Sequence, residues 1–240
     1  MKTKIVVITG AFQGSGKELV KQFLNKNYKV YCLDIKFRKL IKQRNKVLYG
    51  IDLSKLSEIK NFIQFLKKEE HHLDCLINNA GISLESKKYN LENYLDKTLK
   101  VNLYAAYFLS ELALPLLKKS KNPSILNISS IAGKIAMKDN PAYNISKAGL
   151  SSLSASQAFD FSKFNIRSNS ICPGYIKTNM TKKSFNNRKM KNERLNRLTI
   201  KKYGSSRDLA HLAIYLCSKE AGYINGQEII IDGGFLKKGI

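Results

Sequence analysis

Short apolar runs alternate with longer amphipathic stretches along almost the whole chain, and this alternation limits the folds that it can adopt. Runs such as IVVI at 5–8 and SILNIS at 124–129 lack the polar alternation of a half-exposed strand. They therefore predict strands that are buried on both faces of a parallel sheet. The stretches between them predict crossover helices, for example over 56–67, where apolar residues recur near a 3.6-residue period.

This order of elements predicts an α/β fold: a doubly wound, Rossmann-type sandwich with a seven-stranded, mostly parallel sheet and helices on both faces. The strands are predicted at 4–9, 29–34, 47–51, 74–78, 124–129, 166–172 and 228–231. The helices are predicted at 16–25, 56–67, 97–118, 142–163 and 207–218. The chain has 240 residues and no repeat or linker, so we expect one domain over 1–240. Ligands of such sheets bind beyond the carboxyl ends of the strands, which is where functional residues should lie.

The charge of the chain is strongly positive, with 42 Lys and Arg against 18 Asp and Glu and a formal net charge of +24. Such an excess can serve a nucleic acid or an acidic membrane surface. Here the basic residues are spread through the chain without an aromatic-basic recognition motif, so we expect neither partner. The four cysteines form no CxxC pair, which predicts no metal site and no disulfide framework. No apolar run approaches the roughly 20 residues of a membrane span, and we expect a cytoplasmic protein.

The first predicted strand runs into a glycine-rich segment, TGAFQGSG at 9–16, and then into a helix. Gly10 permits a sharp turn, Gly14 lets the backbone approach a pyrophosphate, and Gly16 lets the helix pack against the strand. The N–H groups and the dipole at the start of that helix favour phosphate. A plain tight turn is the alternative. The loop positions predicted to contact a dinucleotide are Gly10, Gln13, Gly14, Ser15 and Gly16.

Asp34 ends the second predicted strand, 18 residues after Gly16. A carboxylate at this place can accept hydrogen bonds from the adenine ribose hydroxyls and would repel a 2′-phosphate, so it predicts NAD rather than NADP. Gln13 is not basic, which agrees with NAD. Lys36 and Arg38 lie close by and could soften the preference, so NADP is kept as the alternative cofactor. Asp34 could also be an ordinary carboxylate at the end of a strand.

Two further strand ends carry polar or small residues. Asp52 and Leu53 follow the third strand, where a carboxylate can meet the adenine amino group. Asn79, Ala80 and Gly81 follow the fourth strand, and small residues there let the backbone lie against a ribose. Because Asn, Asp and Gly are also turn formers, either segment taken alone could be only a turn.

Tyr143 and Lys147 lie four residues apart in YNISK at 143–147, so on a helix they share one face. A free tyrosine, with a pKa near 10, is a poor base at neutral pH, but a nearby ammonium stabilises the phenolate. Such a group can exchange a proton with an alcohol or carbonyl oxygen. Ser130 closes the fifth strand and could hydrogen-bond the same oxygen, and Asn102 could hold a water that feeds protons to Lys147. The bare pattern is also common on amphipathic surface helices.

Together these motifs resemble the short-chain dehydrogenase/reductase family in its compact single-domain form. The resemblance covers essentially the whole chain and rests on TGAFQGSG at 9–16, Asp34, Asp52-Leu53, NNAG at 78–81, Asn102, NISSIAG at 127–133, YNISK at 143–147, PGYIKT at 173–178 and IDGG at 231–234. It implies an NAD(P)-dependent oxidoreductase that interconverts a secondary alcohol and a ketone.

The resemblance also implies a role for each matching residue. Tyr143 would donate or accept the proton, and Lys147 would bind the nicotinamide ribose and lower the pKa of Tyr143. Ser130 would orient the substrate, and Asn102 would complete the proton relay. The positions implied to hold the carboxamide end of the cofactor are Pro173, Gly174, Ile176 and Thr178. The positions expected to contact substrate are Ser130, Ile131 and Tyr143.

Residues 179–206 come next, and in this family the corresponding stretch covers the substrate as a lid. The stretch is rich in Lys and Arg, and Glu193 is its one acidic residue. The charge indicates either an anionic substrate, such as an acyl-carrier protein, a sugar nucleotide or a carboxylated sugar, or only a solvated lid that shares the general lysine excess.

Other functions stay open beside the alcohol dehydrogenase. A 3-oxoacyl-acyl-carrier-protein reductase using NADPH is favoured by the basic lid and disfavoured by Asp34, and a sugar or nucleotide-sugar dehydrogenase is a further alternative. A non-catalytic, nucleotide-sensing scaffold would be expected to have lost part of the set formed by Ser130, Tyr143 and Lys147, which this chain retains. Members of the family commonly assemble, so we expect a homodimer or homotetramer.

Overall fold

The centre of the molecule is a sheet with the strand order β3-β4-β2-β1-β5-β6-β7-β8. The computed structural model describes residues 3–84, 90–178 and 187–237. Within these residues the strands are β1 Ile5–Thr9, β2 Lys29–Asp34, β3 Ile41–Gln43, β4 Lys46–Gly50, β5 Cys75–Asn78, β6 Ser124–Ile128, β7 Arg167–Pro173 and β8 Glu228–Ile231. Every neighbouring pair is parallel except β3 and β4, which are antiparallel. The predicted doubly wound α/β fold is therefore confirmed.

The prediction of seven strands is wrong, because the sheet has eight strands within the described residues. The additional strand, β3, has three residues, and all of them are exposed. It pairs only with β4 at the edge of the sheet. An exposed edge strand buries no side chains, so its sequence carries no apolar pattern that could reveal it.

Seven α-helices lie in the described residues: α1 Gly14–Asn25, α2 Leu56–Glu69, α3 Leu91–Leu99, α4 Ala105–Leu117, α5 Pro141–Asp160, α6 Arg188–Arg197 and α7 Ser206–Leu216. The single helix predicted over 97–118 is instead made of the end of α3, a π-helical turn at Lys100–Tyr104, and α4. The helix α6 was not predicted. It buries none of its residues, so its sequence lacks an apolar stripe.

Helices cover both faces of the sheet. On one face, α2 and α4 pack against side chains such as Val7, and on the other face α1 and α7 pack against side chains such as Val6. This double cover explains why the strands read as unbroken apolar runs. The four cysteines are buried and unpaired, as a chain without a disulfide framework requires. No helix in the described part of the chain is long and apolar enough to cross a membrane.

Candidate active site

The glycine-rich loop joins β1 to α1 at the carboxyl end of the sheet. Gly10 and Gly14 have φ angles of +65° and +55°, which side chains disfavour. A Cβ on Gly16 would lie 1.9 Å from the carbonyl oxygen of Gly10, so only glycine lets α1 start this close to the strand. The first turn of α1 carries no acidic residue, and no side chain at Gln13 caps it. The positive end of the α1 dipole therefore lies at this loop, and at Gly14 no side chain covers the backbone.

The end of β5 braces this loop. The Thr9 hydroxyl accepts hydrogen bonds from the backbone N–H groups of Asn79 and Ala80, each at 2.9 Å. The side-chain amide of Asn79 donates through Nδ2 to the Thr9 carbonyl at 2.9 Å. A Cβ on Gly10 would lie 2.9 Å from Ala80 Cα, so the ends of β1 and β5 approach each other closely. Asn79 thus contributes to the site by holding the loop in its shape.

Asp34 is the last residue of β2, and two backbone N–H groups hold its carboxylate in place. Its Oδ2 accepts the N–H of Phe12 at 3.1 Å, and its Oδ1 accepts the N–H of Lys36 at 2.9 Å. The Phe12 ring packs edge-on against Phe37, with 5.7 Å between the ring centroids. The carboxylate is consequently held beside the glycine-rich loop, where a ribose would meet it.

Asp52 follows β4 and caps the turn into α2. Its Oδ1 accepts hydrogen bonds from the Ser54 N–H at 3.0 Å and the Ser54 hydroxyl at 2.7 Å. Burial by itself would raise the pKa of Asp52, but the bonds from Ser54 and the charge of Lys55 bring it below its ordinary value. Leu53 is buried in the core beneath it. Ser15, on the opposite side of the loop, lies with its hydroxyl 3.4 Å from that of Ser206 in α7.

Ser130 and Tyr143 meet just beyond β6. The Ser130 hydroxyl accepts the N–H of Ala132 at 3.1 Å and so caps a short 3₁₀ turn at Ile131–Gly133. Burial raises the pKa of Tyr143 above its ordinary value, and the neighbouring Ser130 side chain offsets only part of this rise. The expected lowering of that pKa is therefore not found in the protein by itself.

Lys147 lies one helical turn after Tyr143 and is 3% exposed. Its Nζ donates to the Ile128 carbonyl at 2.7 Å and is 5.7 Å from the centroid of the Tyr143 ring. Burial lowers the pKa of Lys147 to about 8, because the charged form loses its hydration. Lys147 is thus anchored at the end of β6, on the same side of the helix as the phenol.

Asn102 lies in the π-helical turn between α3 and α4 and is buried. Its Oδ1 accepts the Ile82 N–H at 2.8 Å, while its Nδ2 donates to the Ile82 carbonyl at 2.9 Å and to Ser146 Oγ at 3.0 Å. A Cβ on Gly81 would lie 3.3 Å from Lys147 Nζ and 3.6 Å from Asn102 Oδ1. Asn102 and Lys147 therefore converge beneath Gly81. The sequence reasoning missed Ile82 and Ser146 as partners, since no local motif marks them.

The segment after β7 lies next to the glycine-rich loop. Gly174 allows it to touch the end of β8, because a Cβ there would lie 2.7 Å from Asp232 Cα. Ile176 is buried and forms a bridge to Gly204. A Cβ on Gly14 would lie 3.6 Å from Thr178 Cβ, so the segment that begins at Pro173 faces the glycine-rich loop.

The predicted lid is only partly visible, since 179–186 lie outside the described residues. The helix α6 follows and leads into Leu198, which packs with Ile131 and Phe235. The Arg194 guanidinium lies 4.4 Å from the ring centroid of Tyr175, and that of Arg197 lies 4.5 Å from that of Phe235. Ile131 thus enters a small apolar cluster next to Ser130, with two arginines stacked on its aromatic members.

A comparison with protein families identifies the chain. The profile described as enoyl-(acyl carrier protein) reductase matches residues 10–236. The chain belongs to the short-chain dehydrogenase/reductase family. The family predicted from the motifs is therefore confirmed, and this short-chain dehydrogenase/reductase is an oxidoreductase.

Relatives of this short-chain dehydrogenase/reductase span its full length. It is 29% identical to the 3-oxoacyl-acyl-carrier-protein reductase FabG of Thermotoga maritima, over 98% of this chain and 99% of that protein. It is 30% identical to an NAD-dependent glycerol dehydrogenase of Listeria innocua, over 98% of this chain and 94% of that protein. A solved structure of 4-hydroxyisoleucine dehydrogenase complexed with NADH superposes with a TM-score of 0.92 at 34% identity, covering 99% of this chain and all of that one. These relatives differ in substrate, so the family alone does not name one for this chain.

Proposed function

We propose that the protein interconverts a secondary alcohol and a ketone, with NAD as the hydride carrier and Tyr143 as the general acid and base. The observation that carries this proposal is the position of Lys147 Nζ, 5.7 Å from the centroid of the Tyr143 ring at the carboxyl edge of the sheet, with Ser130 beside the phenol. Lys147 and Asn102 converge within a few ångströms of the same point under Gly81. Ser130, Tyr143, Lys147 and Asn102 come from three separate elements, namely the turn after β6, the helix α5 and the π-helical turn. A shared position of this kind is typical of a catalytic site.

A nicotinamide dinucleotide would lie along the carboxyl edge of the sheet, and when bound it accepts or supplies the hydride. Pyrophosphate would lie against the backbone at Gly14, where the open φ and the start of α1 favour an anion. Asp34 would accept the adenine ribose hydroxyls, and its charge would repel a 2′-phosphate. The NADH in the 34% identical structure supports the same preference. Lys36 and Arg38 stand near Asp34, and they keep NADP as the alternative.

The remaining predicted contacts to the cofactor fall into four groups, which face the adenine, the ribose, the carboxamide and the pyrophosphate. Asp52, with Leu53 beneath it, would face the adenine, and Ala80 and Gly81 would lie along the ribose, with Asn79 holding the loop. Pro173 and Gly174 would direct Ile176 and Thr178 to the carboxamide. Gln13 and Ser15 would complete the loop around the pyrophosphate. This assignment is supported by the approach of Thr178 to Gly14 across the cleft.

Four side chains would carry the proton chemistry. Tyr143 would exchange its phenolic proton with the substrate oxygen, and Ser130 would hydrogen-bond that oxygen as well as the phenol. The Lys147 ammonium, which titrates near pH 8, would stabilise the phenolate and supply protons at neutral pH. Asn102 Oδ1 accepts one bond from Ile82, and its second lone pair can hold a water on the path to Lys147.

The substrate is proposed to be a small alcohol or carbonyl compound that carries negative charge. Residues 179–206 would form the lid over it, within the single domain 1–240. The arginines stacked on Tyr175 and Phe235 lie next to the apolar cluster of Ile131, so an anionic group would meet positive charge there. A 3-oxoacyl-acyl-carrier-protein reductase is the second candidate, because the 29% identical relative bears that name and the lid is basic.

Turnover of a panel of substrates tests the proposal. Keto-sugars, 3-oxoacyl thioesters and steroid-like ketones are offered with NADH and, separately, with NADPH. We expect NADH consumption with at least one ketone, no turnover by Tyr143→Phe, and an unchanged Kd of that variant for NADH measured by fluorescence. Undiminished turnover by Tyr143→Phe would refute the assigned proton donor, and tighter binding of NADPH than of NADH would favour the second candidate.

Assembly into a homodimer or homotetramer belongs to the same proposal. Exposed aromatic side chains on the long helices support it, among them Tyr107 on α4, which is 45% exposed, and Phe159 on α5, which is 82% exposed. Light scattering of the purified protein gives the mass directly. A monomer at micromolar concentration would contradict the expectation.

A further inference from the structure

Glu228, the first residue of β8, is the centre of a polar cluster behind the proposed catalytic residues. Its Oε1 accepts a hydrogen bond from Ser151 Oγ in α5 at 2.7 Å and one from Cys172 Sγ in β7 at 2.8 Å. Its Oε2 pairs with Lys134, which follows the 3₁₀ turn capped by Ser130. A single carboxylate thus joins a strand, a helix and the turn next to the active site.

The cluster continues from Ser151 to the residues that flank the site. Ser151 Oγ lies 2.9 Å from Ser129 Oγ, and Ser129 Oγ is 2.8 Å from the carbonyl oxygen of Lys147. Ser129 is 3% exposed and immediately precedes Ser130. The chain of contacts therefore connects the end of β6, which bears Ser130, to the helix that bears Tyr143.

The number of hydroxyl protons limits which hydrogen bonds these side chains can form at the same time. Burial alone would raise the pKa of Glu228, but the bonds from Cys172, Lys134 and Ser151 lower it, so the carboxylate is ionised at neutral pH and can only accept. Ser151 has one hydroxyl proton, and both Glu228 Oε1 and Ser129 Oγ lie within hydrogen-bonding distance to accept it. Ser129 donates its own proton to the Lys147 carbonyl. The charge on Glu228 therefore decides which of the two acceptors holds the Ser151 hydroxyl, and so how Ser151 contacts Ser129.

We propose that Glu228 is a positioning residue, which acts through Ser151 and Ser129 and through Lys134 to keep Ser130 beside Tyr143. Glu228 would touch neither substrate nor cofactor. The charged or titratable groups around it are Lys134 from the turn, Cys172 from β7 and, beyond Cys172, Lys147 from α5. The inference rests on the proposed function, because it assumes that Tyr143 transfers the proton.

The variants Glu228→Gln and Ser151→Ala test the proposal with the substrate that the panel identifies. We expect kcat for alcohol oxidation to fall about tenfold, a small part of the 10²- to 10⁴-fold that positioned acid–base catalysis supplies. The KM for NAD should not change. The ascending limb of the pH–rate profile should move to higher pH, because a weakened bond from Ser130 no longer lowers the pKa of Tyr143. Ser151→Thr keeps a hydroxyl and should restore the wild-type profile.

Control experiments distinguish a positioning role of Glu228 and Ser151 from an effect of the substitutions on folding. Glu220→Gln removes the same charge from an exposed site and should behave as wild type. Crystal structures of the two test variants give a readout that needs no substrate, since the distance from Ser130 Oγ to Tyr143 Oη should lengthen. Wild-type kcat, pH limb and Ser130–Tyr143 distance in both variants would overturn the inference. So would a loss of activity that only follows the fraction of unfolded protein measured by circular dichroism.

Failure of the proposed function would look different. If Tyr143→Phe keeps full turnover, the general acid and base is wrong, whatever Glu228 does. If Tyr143→Phe is inactive while Glu228→Gln and Ser151→Ala are normal, only the positioning role is wrong.

Discussion

At the scale of single residues, the site depends on two ionisable groups in opposite surroundings. Lys147 is buried against the Ile128 carbonyl, and the loss of hydration lowers its pKa. Asp34 stands at the rim, where backbone N–H groups of Phe12 and Lys36 hold its carboxylate. Lys147 is therefore suited to exchanging protons near neutral pH, while Asp34 is suited to selecting a ligand by its charge.

Replacing Asp34 should change the choice of cofactor. In Asp34→Ser, the Kd for NADH should rise about tenfold, or about 1.4 kcal/mol, because the ribose hydroxyls lose a charged acceptor. The Kd for NADPH should fall, since no negative charge repels the 2′-phosphate. Fluorescence titration with both nucleotides measures the change, with Glu220→Gln as the charge-matched control. An unchanged ratio of the two Kd values would show that Asp34 does not select the cofactor.

Lys147 should make the stability of the protein depend on pH. Its pKa falls from 10.5 unfolded to about 8 folded, so between these values the folded state holds fewer protons and stability rises with pH. Lys147→Met should therefore be more stable than wild type at pH 7 by about 2 kcal/mol: about 3 kcal/mol from the charge, less about 1 kcal/mol for the lost bond to Ile128.

Urea unfolding of the two proteins at pH 7, 8, 9 and 10 without added nucleotide measures this difference. The advantage of Lys147→Met should shrink as the pH rises through 8 toward 10. Other titrating groups are common to both proteins and cancel in the comparison. A difference that stays constant over this range would mean that the lysine is not titrating there.

At the scale of elements, the site depends on irregular joints between regular pieces. The π-helical turn between α3 and α4 directs Asn102 to the backbone of Ile82, and the 3₁₀ turn after β6 is capped by Ser130. Each of them places a polar side chain at the carboxyl edge of the sheet, and a regular helix in the same place would not.

Removing the Asn102 side chain should loosen this joint. Asn102→Ala leaves the N–H and carbonyl of Ile82 without their partner, so we expect a loss of about 2 kcal/mol in the free energy of unfolding. Urea titration checks the loss, and Asn93→Ala, an exposed site on α3, should stay within about 0.5 kcal/mol of wild type. Equal stability of the two variants would mean that the turn is held by other contacts.

At the scale of the whole molecule, helices on both faces seal the sheet from solvent. Cys32, Cys75, Cys172 and Cys217 are all buried, and burial raises the pKa of Cys32 to about 12 and that of Cys172 to about 11. Thiol reagents act on the exposed thiolate, so burial should protect all four residues, and the raised pKa adds to this protection for Cys32 and Cys172.

The cysteines should therefore react only when the protein unfolds. With a chromogenic disulfide reagent at pH 8, the native protein should release almost no colour in the time that the urea-unfolded protein takes to report four thiols per chain. Rapid release from the native protein would show that part of the sheet opens readily.

The sequence by itself determined the buried strands, the glycine-rich loop and the pairing of Tyr143 with Lys147. These features depend on apolar periodicity and on spacings of a few residues, which are fixed by local backbone geometry. The exposed edge strand β3 and the exposed helix α6 bury too little to leave such a pattern.

Only the tertiary structure decided which distant groups meet and how burial sets their charge. Asn102 reaches Ile82 across 20 residues, and Glu228 reaches Ser151 across 77. Such contacts arise from the order of strands in the sheet and from the π-helical turn, and no local spacing specifies them. The pKa of Tyr143 was predicted to fall because Lys147 is its neighbour, but the depth of the surrounding packing raises it. Burial is a property of the assembled molecule, so a pair of residues read along the chain does not reveal it.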